Sequence, residues 1–276
     1  MSKLWQNTLI DWKQPRTWTL ALSRCLRPHL NKRGIRYLQR TGEQNICWDD
    51  PIWLDFTQKI IDTDLDRIVK IIADNLYFSM VRVYHGCRTL DAGSYHLEGI
   101  RLNDPTVLTG DLIQLVAANE GLAYLRPNIV RRIAEFDDRD RDTGKLHVAL
   151  DDRTLINQAG HYLLYGSEWM QSILGFEAHR AILQWGSPTI IQAHLPLSMS
   201  CSATRTELAR ALLQEWTRIR VNRPKWTPER DFTFTLNVPV PAEMIVGHEH
   251  PACIRDPLHK NEKRRNDRLD CPSCRY

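Results

Sequence analysis

Three small groups of residues in this 276-residue chain have types and spacings that could do chemistry. Cys271-Pro-Ser-Cys274 has the Cys-x-x-Cys spacing that lets two thiolates reach one tetrahedral metal. His248, His250 and Cys253 lie upstream as further donors, and the set expected to hold a structural zinc ion is Cys271, Cys274, Cys253 and His250. The other reading of these residues is a tail with free thiols. A thioredoxin-like redox pair is not expected, because the two cysteines sit at the C-terminal end rather than opening a helix. The second group is Tyr84-His-Gly-Cys-Arg88. His85 offers an imidazole beside Gly86, where a flat ligand can approach the main chain and use its N–H and C=O. The third is Glu243, a carboxylate just before the apolar Met244-Ile-Val246. Taken singly, the histidine and the glutamate are what many strand ends carry.

The elements that must position these groups are readable from periodicity. Ile60, Ile61, Leu65, Ile68, Ile71, Ile72 and Leu76 recur at three- and four-residue steps, which predicts a helix with one buried face between Pro51 and Tyr77. The chain before it reads as helical and basic, with Trp5, Trp12 and Trp18 expected to pack rather than bind. Met80 to His85 alternates and predicts a strand ending at Gly86, followed by a short helix from Leu90 to Leu97 closed by Gly99. Leu146–Leu150, Thr189–Leu195, Phe232–Pro239 and Met244–Val246 read as further strands, and Asp137–Arg141 as an exposed charged loop. Thr154–Leu174 and Thr204–Arg220 read as helices, the first capped by Asp152. Gly166 inside the first costs about 1 kcal/mol against Ala and marks close packing or a break. Strands and long helices without regular βαβ alternation predict an α+β domain. The expected division is a helical basic region 1–77, a catalytic domain 78–255 and a basic, Cys-containing tail 256–276.

Read together, three segments resemble the ADP-ribosyltransferase superfamily of poly(ADP-ribose) polymerases and diphtheria-toxin-like transferases. His85-Gly-Cys-Arg88 followed by Gly99-Ile-Arg101 is similar to that family's first core strand and the short helix after it. Gly144-Lys-Leu-His-Val-Ala-Leu-Asp151, then Gln158-Ala-Gly-His-Tyr162, is similar to its second segment, whose two tyrosines sandwich nicotinamide. Tyr162 matches the second tyrosine. The place of the first falls on Val148, and a one-residue slip would bring His147 in as the stacking ring. Ala242-Glu-Met-Ile-Val246 resembles the last catalytic segment, with Glu243 in the catalytic place.

The resemblance implies a split β-sheet core with an N-terminal helical extension, and NAD as the substrate. His85 would hold the NAD ribose, the Gly86 backbone would take the carboxamide, and Arg88 would belong to the cofactor site. Tyr162 would stack on nicotinamide, with His147 counted beside His85 and Glu243 among the catalytic residues. A carboxylate held near the ribose stabilises the oxocarbenium-like state of glycosyl transfer.

The bulk composition agrees with a globular chain, at 42% hydrophobic and 25% charged residues. No apolar run approaches the roughly 20 residues needed to cross a bilayer, and no secretory leader is apparent, so a cytosolic protein without a membrane partner is expected. Seven scattered cysteines, an odd number, argue against a disulfide framework. Phosphate-loop, Gly-x-Ser-x-Gly and His-Glu-x-x-His motifs are absent, which leaves kinase and hydrolase readings without support. The net charge is only +4, but basic residues gather at both ends, including Lys260, Lys263, Arg264, Arg265 and Arg268. Basic ends suit RNA or DNA as the acceptor, a solvated surface being the other reading; the resemblance adds a bacterial toxin or phage-defence setting with an antitoxin partner, and a protein acceptor is the alternative. Two rival functions are an NAD-dependent RNA 2′-phosphotransferase and a non-catalytic transferase fold that only binds nucleic acid or protein.

Overall fold

Where the sequence suggests one helix from Pro51 to Tyr77, a break at residues 59–64 makes two, because Asp64 caps the second by accepting from the Arg67 N–H. The computed structural model describes residues 5–6, 8–31, 33–47, 50–136, 142–222 and 232–275, so the charged run Asp137–Arg141 lies outside the described residues. The helices, in chain order, are α1 (Thr19–Leu26), α2 (Gly34–Arg40), α3 (Ile52–Gln58), α4 (Leu65–Leu76), α5 (Gly93–Glu98), α6 (Pro105–Ala118), α7 (Ile129–Ala134), α8 (Asp152–Asn157), α9 (Gly160–Tyr165), α10 (Glu168–Leu174), α11 (His179–Leu183) and α12 (Ser202–Asn222). The strands are β1 (Leu9–Ile10), β2 (Met80–Thr89), β3 (Leu146–Ala149), β4 (Ser187–Pro196), β5 (Thr233–Leu236), β6 (Ile245–Glu249), β7 (Cys253–Asp256) and β8 (Glu262–Arg265). One sheet has the order β5-β3-β2-β4-β6, with β1 parallel to the start of β2; β7 and β8 form a separate hairpin. The β2–β3 and β4–β6 pairs are antiparallel, which makes this a mixed α+β chain.

The chain folds into two units that do not follow the expected linear division. The first comprises Met1–Arg82 with His194–Phe234. Its core is built from Trp5, Trp12, Trp18, Trp53 and Trp216, all buried, so the N-terminal tryptophans pack as expected. Trp12 and Trp18 lie nearly parallel, with ring centroids 6.1 Å apart. The long α12 lies on α3 and α4, which is why it joins the N-terminal helices rather than the segments around it in sequence. Asp11, buried in this unit, is paired with Arg82 at 2.9 Å.

The second unit comprises Val83–Ala193 with Thr235–Tyr276. Tyr84, Ala149, Leu155, Leu163, Ile190 and Ile254 pack into one core against β2. A second core, around Leu112, Leu122, Leu125, Ile133, Leu174 and Ile182, is formed by segments that include α6 and α7. The expected helix Thr154–Leu174 is three short ones. Asp151 rather than Asp152 caps α8, accepting from the Arg153 N–H, and Gly166 ends α9 at φ 83°. Of the expected tail 256–276, residues 256–275 are described and structured: β7 and β8 pair from Cys253↔Arg265 to Asp256↔Glu262, and Asp256, fully buried, accepts from Tyr165 Oη and Arg264 Nε. Among the described residues no helix is long and apolar enough to cross a membrane.

Gly99 closes α5 at φ 79°, and a Cβ there would lie 2.0 Å from the Val240 carbonyl oxygen, so only glycine allows the two chains to meet. Two substitutions therefore have opposite expected signs. Gly99→Ala lowers stability by about 2 kcal/mol or more. Gly110→Ala, in α6 where an added Cβ meets open space, raises it by about 0.5–1 kcal/mol. Urea unfolding of the two variants checks both values.

Candidate functional site

The residues singled out in sequence fall on β2, β3, α9, the turn before β6 and the chain's last knuckle, all in the second unit. Strand β2 does not stop at Gly86 but continues to Thr89, and its pleat sets which residue faces what. Tyr84 packs with Leu155 and Leu163, and a Cβ on Gly86 would point at the same two leucines at 3.3 Å. His85 and Cys87 therefore face the other side. There Cys87 bonds to Tyr95, and burial pushes its thiol up to about 12, which makes it an inert thiol at neutral pH.

His85 has its Nδ1 3.1 Å from the main-chain carbonyl of His147. Burial holds its pKa below the ordinary histidine value, so the ring is neutral near pH 7. A neutral ring that donates from Nδ1 to a carbonyl keeps Nε2 as a bare acceptor, suited to a hydroxyl donor. His147 itself does not join it as a ring. Tyr84 pairs directly with Ala149, and cross-strand partners share a face. That register puts Ala149 and His147 on the Tyr84 side and Val148 on the His85 side, without the slip that would have exchanged them. The exposed His147 ring instead meets Thr235 Oγ1 at 3.1 Å and Asp142 at 3.7 Å.

Arg88 takes a different role from the one expected. It is buried, and its guanidinium donates to five main-chain carbonyls, those of Leu163, Ile182, Leu183, Trp185 and Gly186. Desolvation, with Arg268 nearby, lowers its pKa to about 10, still well above neutrality. Its donors hold α9 and the end of α11. Tyr162, on α9, donates from its hydroxyl to Glu168 at 2.9 Å, with the His161 ring 4.2 Å from its own.

Glu243 lies exposed in the short turn Ala242–Met244 that leads into β6, and among the described residues it makes no hydrogen bond or ion pair. Its turn is held by the Gly99 segment. Ile100 and Val240 exchange both main-chain hydrogen bonds, at 2.8 and 2.9 Å, and α5 packs on Ala242–Met244. The first and third resembling segments thus meet. Concavities of about 300 Å³ open between α4 and α12 and beside Cys271 and Pro272; neither is lined by His85, Tyr162 or Glu243.

The metal-donor residues do gather, with one exchange. The donor atoms of His248, His250, Cys271 and Cys274 all lie within 4.8 Å of one another. Cys253 is outside the group, exposed on β7 opposite Arg265. His248 takes its place because residues two apart along a strand share a face, a signal present in the His-x-His spacing. Two further residues were not marked in sequence. His96 reaches His248 at 2.9 Å, and Asp91 accepts from the N–H groups of Gly93 and Ser273 at 3.1 Å each. Hydrogen bonds, the Ser273 side chain foremost, hold the Asp91 carboxyl down at about 2.

Arg88→Met leaves several buried carbonyls without donors and is expected to cost about 3 kcal/mol or more. Arg88→Lys recovers little of that, since an ammonium has three donors and no planar fork. Chemical denaturation of the two variants reads the loss. A variant that keeps full stability but loses ligand binding would return Arg88 to the cofactor site.

No family model matches the chain, nor does any curated protein or solved structure.

Proposed function

We propose that this chain is an NAD-dependent ADP-ribosyltransferase that acts on a nucleic acid. The observation that carries the reading is the convergence of the resembling segments in one unit. Strand β2, with His85, pairs with β3, and the Gly99–Ile100 segment clamps the turn that bears Glu243.

The chemistry asked of each residue suits its state. A neutral His85 with a free Nε2 accepts a hydrogen bond from a ribose hydroxyl. Gly86, with no side chain, lends its main chain to the nicotinamide carboxamide. Glu243, exposed and without a cationic partner among the described residues, would steady the positive charge that builds on the ribose as nicotinamide leaves. Tyr162 supplies the one stacking ring of the set. The acceptor's hydroxyl or ring nitrogen then forms the new bond to the ribose C1″ and loses its proton, while nicotinamide departs with the bonding electrons. The basic residues toward both ends favour a polyanionic acceptor, and the family resemblance adds a toxin or defence role with an antitoxin partner.

The test is incubation with NAD labelled on its adenylate and separate pools of RNA, DNA and cell protein. Label is expected on a nucleic-acid pool, falling by about 10²-fold or more in Glu243→Ala. Transfer onto protein alone would overturn the choice of acceptor. Intact NAD in every pool would overturn the transferase and leave a binding module, consistent with Val148 in place of a first stacking ring. The pH dependence has a definite sign. Protonation removes the Nε2 acceptor of His85, so kcat/KM should be flat near neutrality and fall on acidification, with a midpoint below the ordinary histidine pKa.

A further inference from the structure

We infer that His248, His250, Cys271 and Cys274 form a closed, structural zinc site that fastens the chain's last knuckle to β6 and α5. This does not depend on the transferase reading. Zinc at about 2.3 Å from sulfur and about 2.0–2.1 Å from nitrogen sets tetrahedral edges of about 3.4–3.8 Å. The Cys271 and Cys274 sulfurs are 3.8 Å apart, Cys271 Sγ is 3.6 Å from His248 Nε2, and Cys274 Sγ is 3.1 Å from it. Two thiolates and two imidazoles are the borderline-soft donor set that zinc takes in structural sites.

The histidines are already oriented as ligands. His250 has its Nδ1 2.9 Å from the Pro188 carbonyl and 3.1 Å from Thr189 Oγ1. Donation to the carbonyl fixes the proton on Nδ1 and turns a bare Nε2 lone pair toward the cluster. That Nε2 is buried and, among the described residues, has no hydrogen-bond partner, a state that is costly unless something else binds it. His248 repeats the pattern, with Nδ1 2.9 Å from His96 Nε2 and its own Nε2 toward both sulfurs. A ligand histidine whose far nitrogen donates to a fixed acceptor is the usual outer arrangement of a zinc site. The knuckle is aimed as well: the Cys274 N–H donates to the Cys271 carbonyl at 3.0 Å, and the Ser273 N–H between them donates to Asp91.

With four protein donors no position stays open, so the ion serves to hold structure and not to activate water. The two thiols give their protons to solvent as they bind, and the histidines bind neutral. The metal ties β6 and the turn Pro272–Arg275 together across the intervening β7–β8 hairpin, and through His96 and Asp91 it fixes both to the α5 region.

The test begins with the unaltered protein purified without chelator. Elemental analysis should find one zinc per chain. After removal of the metal, Co²⁺ should give the visible spectrum of a tetrahedral site with thiolate-to-cobalt charge transfer. Cys274→Ser should lose that spectrum, while Cys253→Ser should keep both metal and spectrum. His96→Ala, a positioning change, should bind the same single ion about 10–100-fold more weakly. Protein that contains no zinc and develops no thiolate-to-cobalt band, a measurement that needs no variant, would overturn the site. So would loss of the metal from Cys253→Ser to the same degree as from Cys274→Ser.

Discussion

Five main-chain carbonyls converge on the guanidinium of Arg88, and few side chains could satisfy them together. Burying a positive charge is costly unless its donors are met, and here they are met by carbonyls that would themselves be costly to leave unpaired. The same contacts settle three things at once. They end α11, hold α9 against β2, and keep β2 extended past Gly86 to Thr89. His85 and Gly86 stand three and two residues before this anchor, so their register on the sheet is inherited from it. An arginine that the resemblance assigns to the ligand instead fixes the backbone that the ligand would touch.

Helix α5 is the second point of constraint. At its C-terminal end Gly99 admits the Val240 carbonyl and binds the Glu243 turn. Before its N-terminus Asp91 holds the Cys-x-x-Cys knuckle, and His96 within it orients His248. The segment 91–100 thus serves both the turn before β6 and the Cys271–Cys274 knuckle, which explains how a short helix with no buried residue of its own keeps a fixed place.

The sequence was legible where side chains repeat with one clear period. The strands at Leu146, Thr189 and Met244 and the long helix from Thr204 follow apolar patterns that tertiary structure leaves intact. The pattern misleads where a single residue outweighs it. Asp64 and Gly166 break apparent helices with a cap and a positive φ. The β7–β8 hairpin was hidden by charge: only Ile254 and Asp256 turn inward, and Asp256 is buried because Tyr165 and Arg264 satisfy it, a pairing no local pattern announces. Helices α6 and α7 belong to a core assembled from distant segments. For the candidate sites, residue types were readable and choices among neighbours were not. His248 and Cys253 are both donor types upstream of Cys271, and the structure gathers the histidine while Cys253 stays exposed on β7.

The β2–β3 register also bears on how a planar ring could be held beside His85. Val148 shares its face, and the parity of a strand admits no exchange with His147 without a bulge. On the proposed reading, the aliphatic Val148 side chain supplies a flat apolar wall where a second aromatic would otherwise stand, and Tyr162 alone provides a π-face. The Tyr162 hydroxyl is tied to Glu168 one turn and a break later in the chain. That break is Gly166, whose left-handed φ lets α10 turn away and bring Glu168 back to α9. The glycine that interrupts an apparent helix is therefore also what restrains the one ring the reaction would depend on.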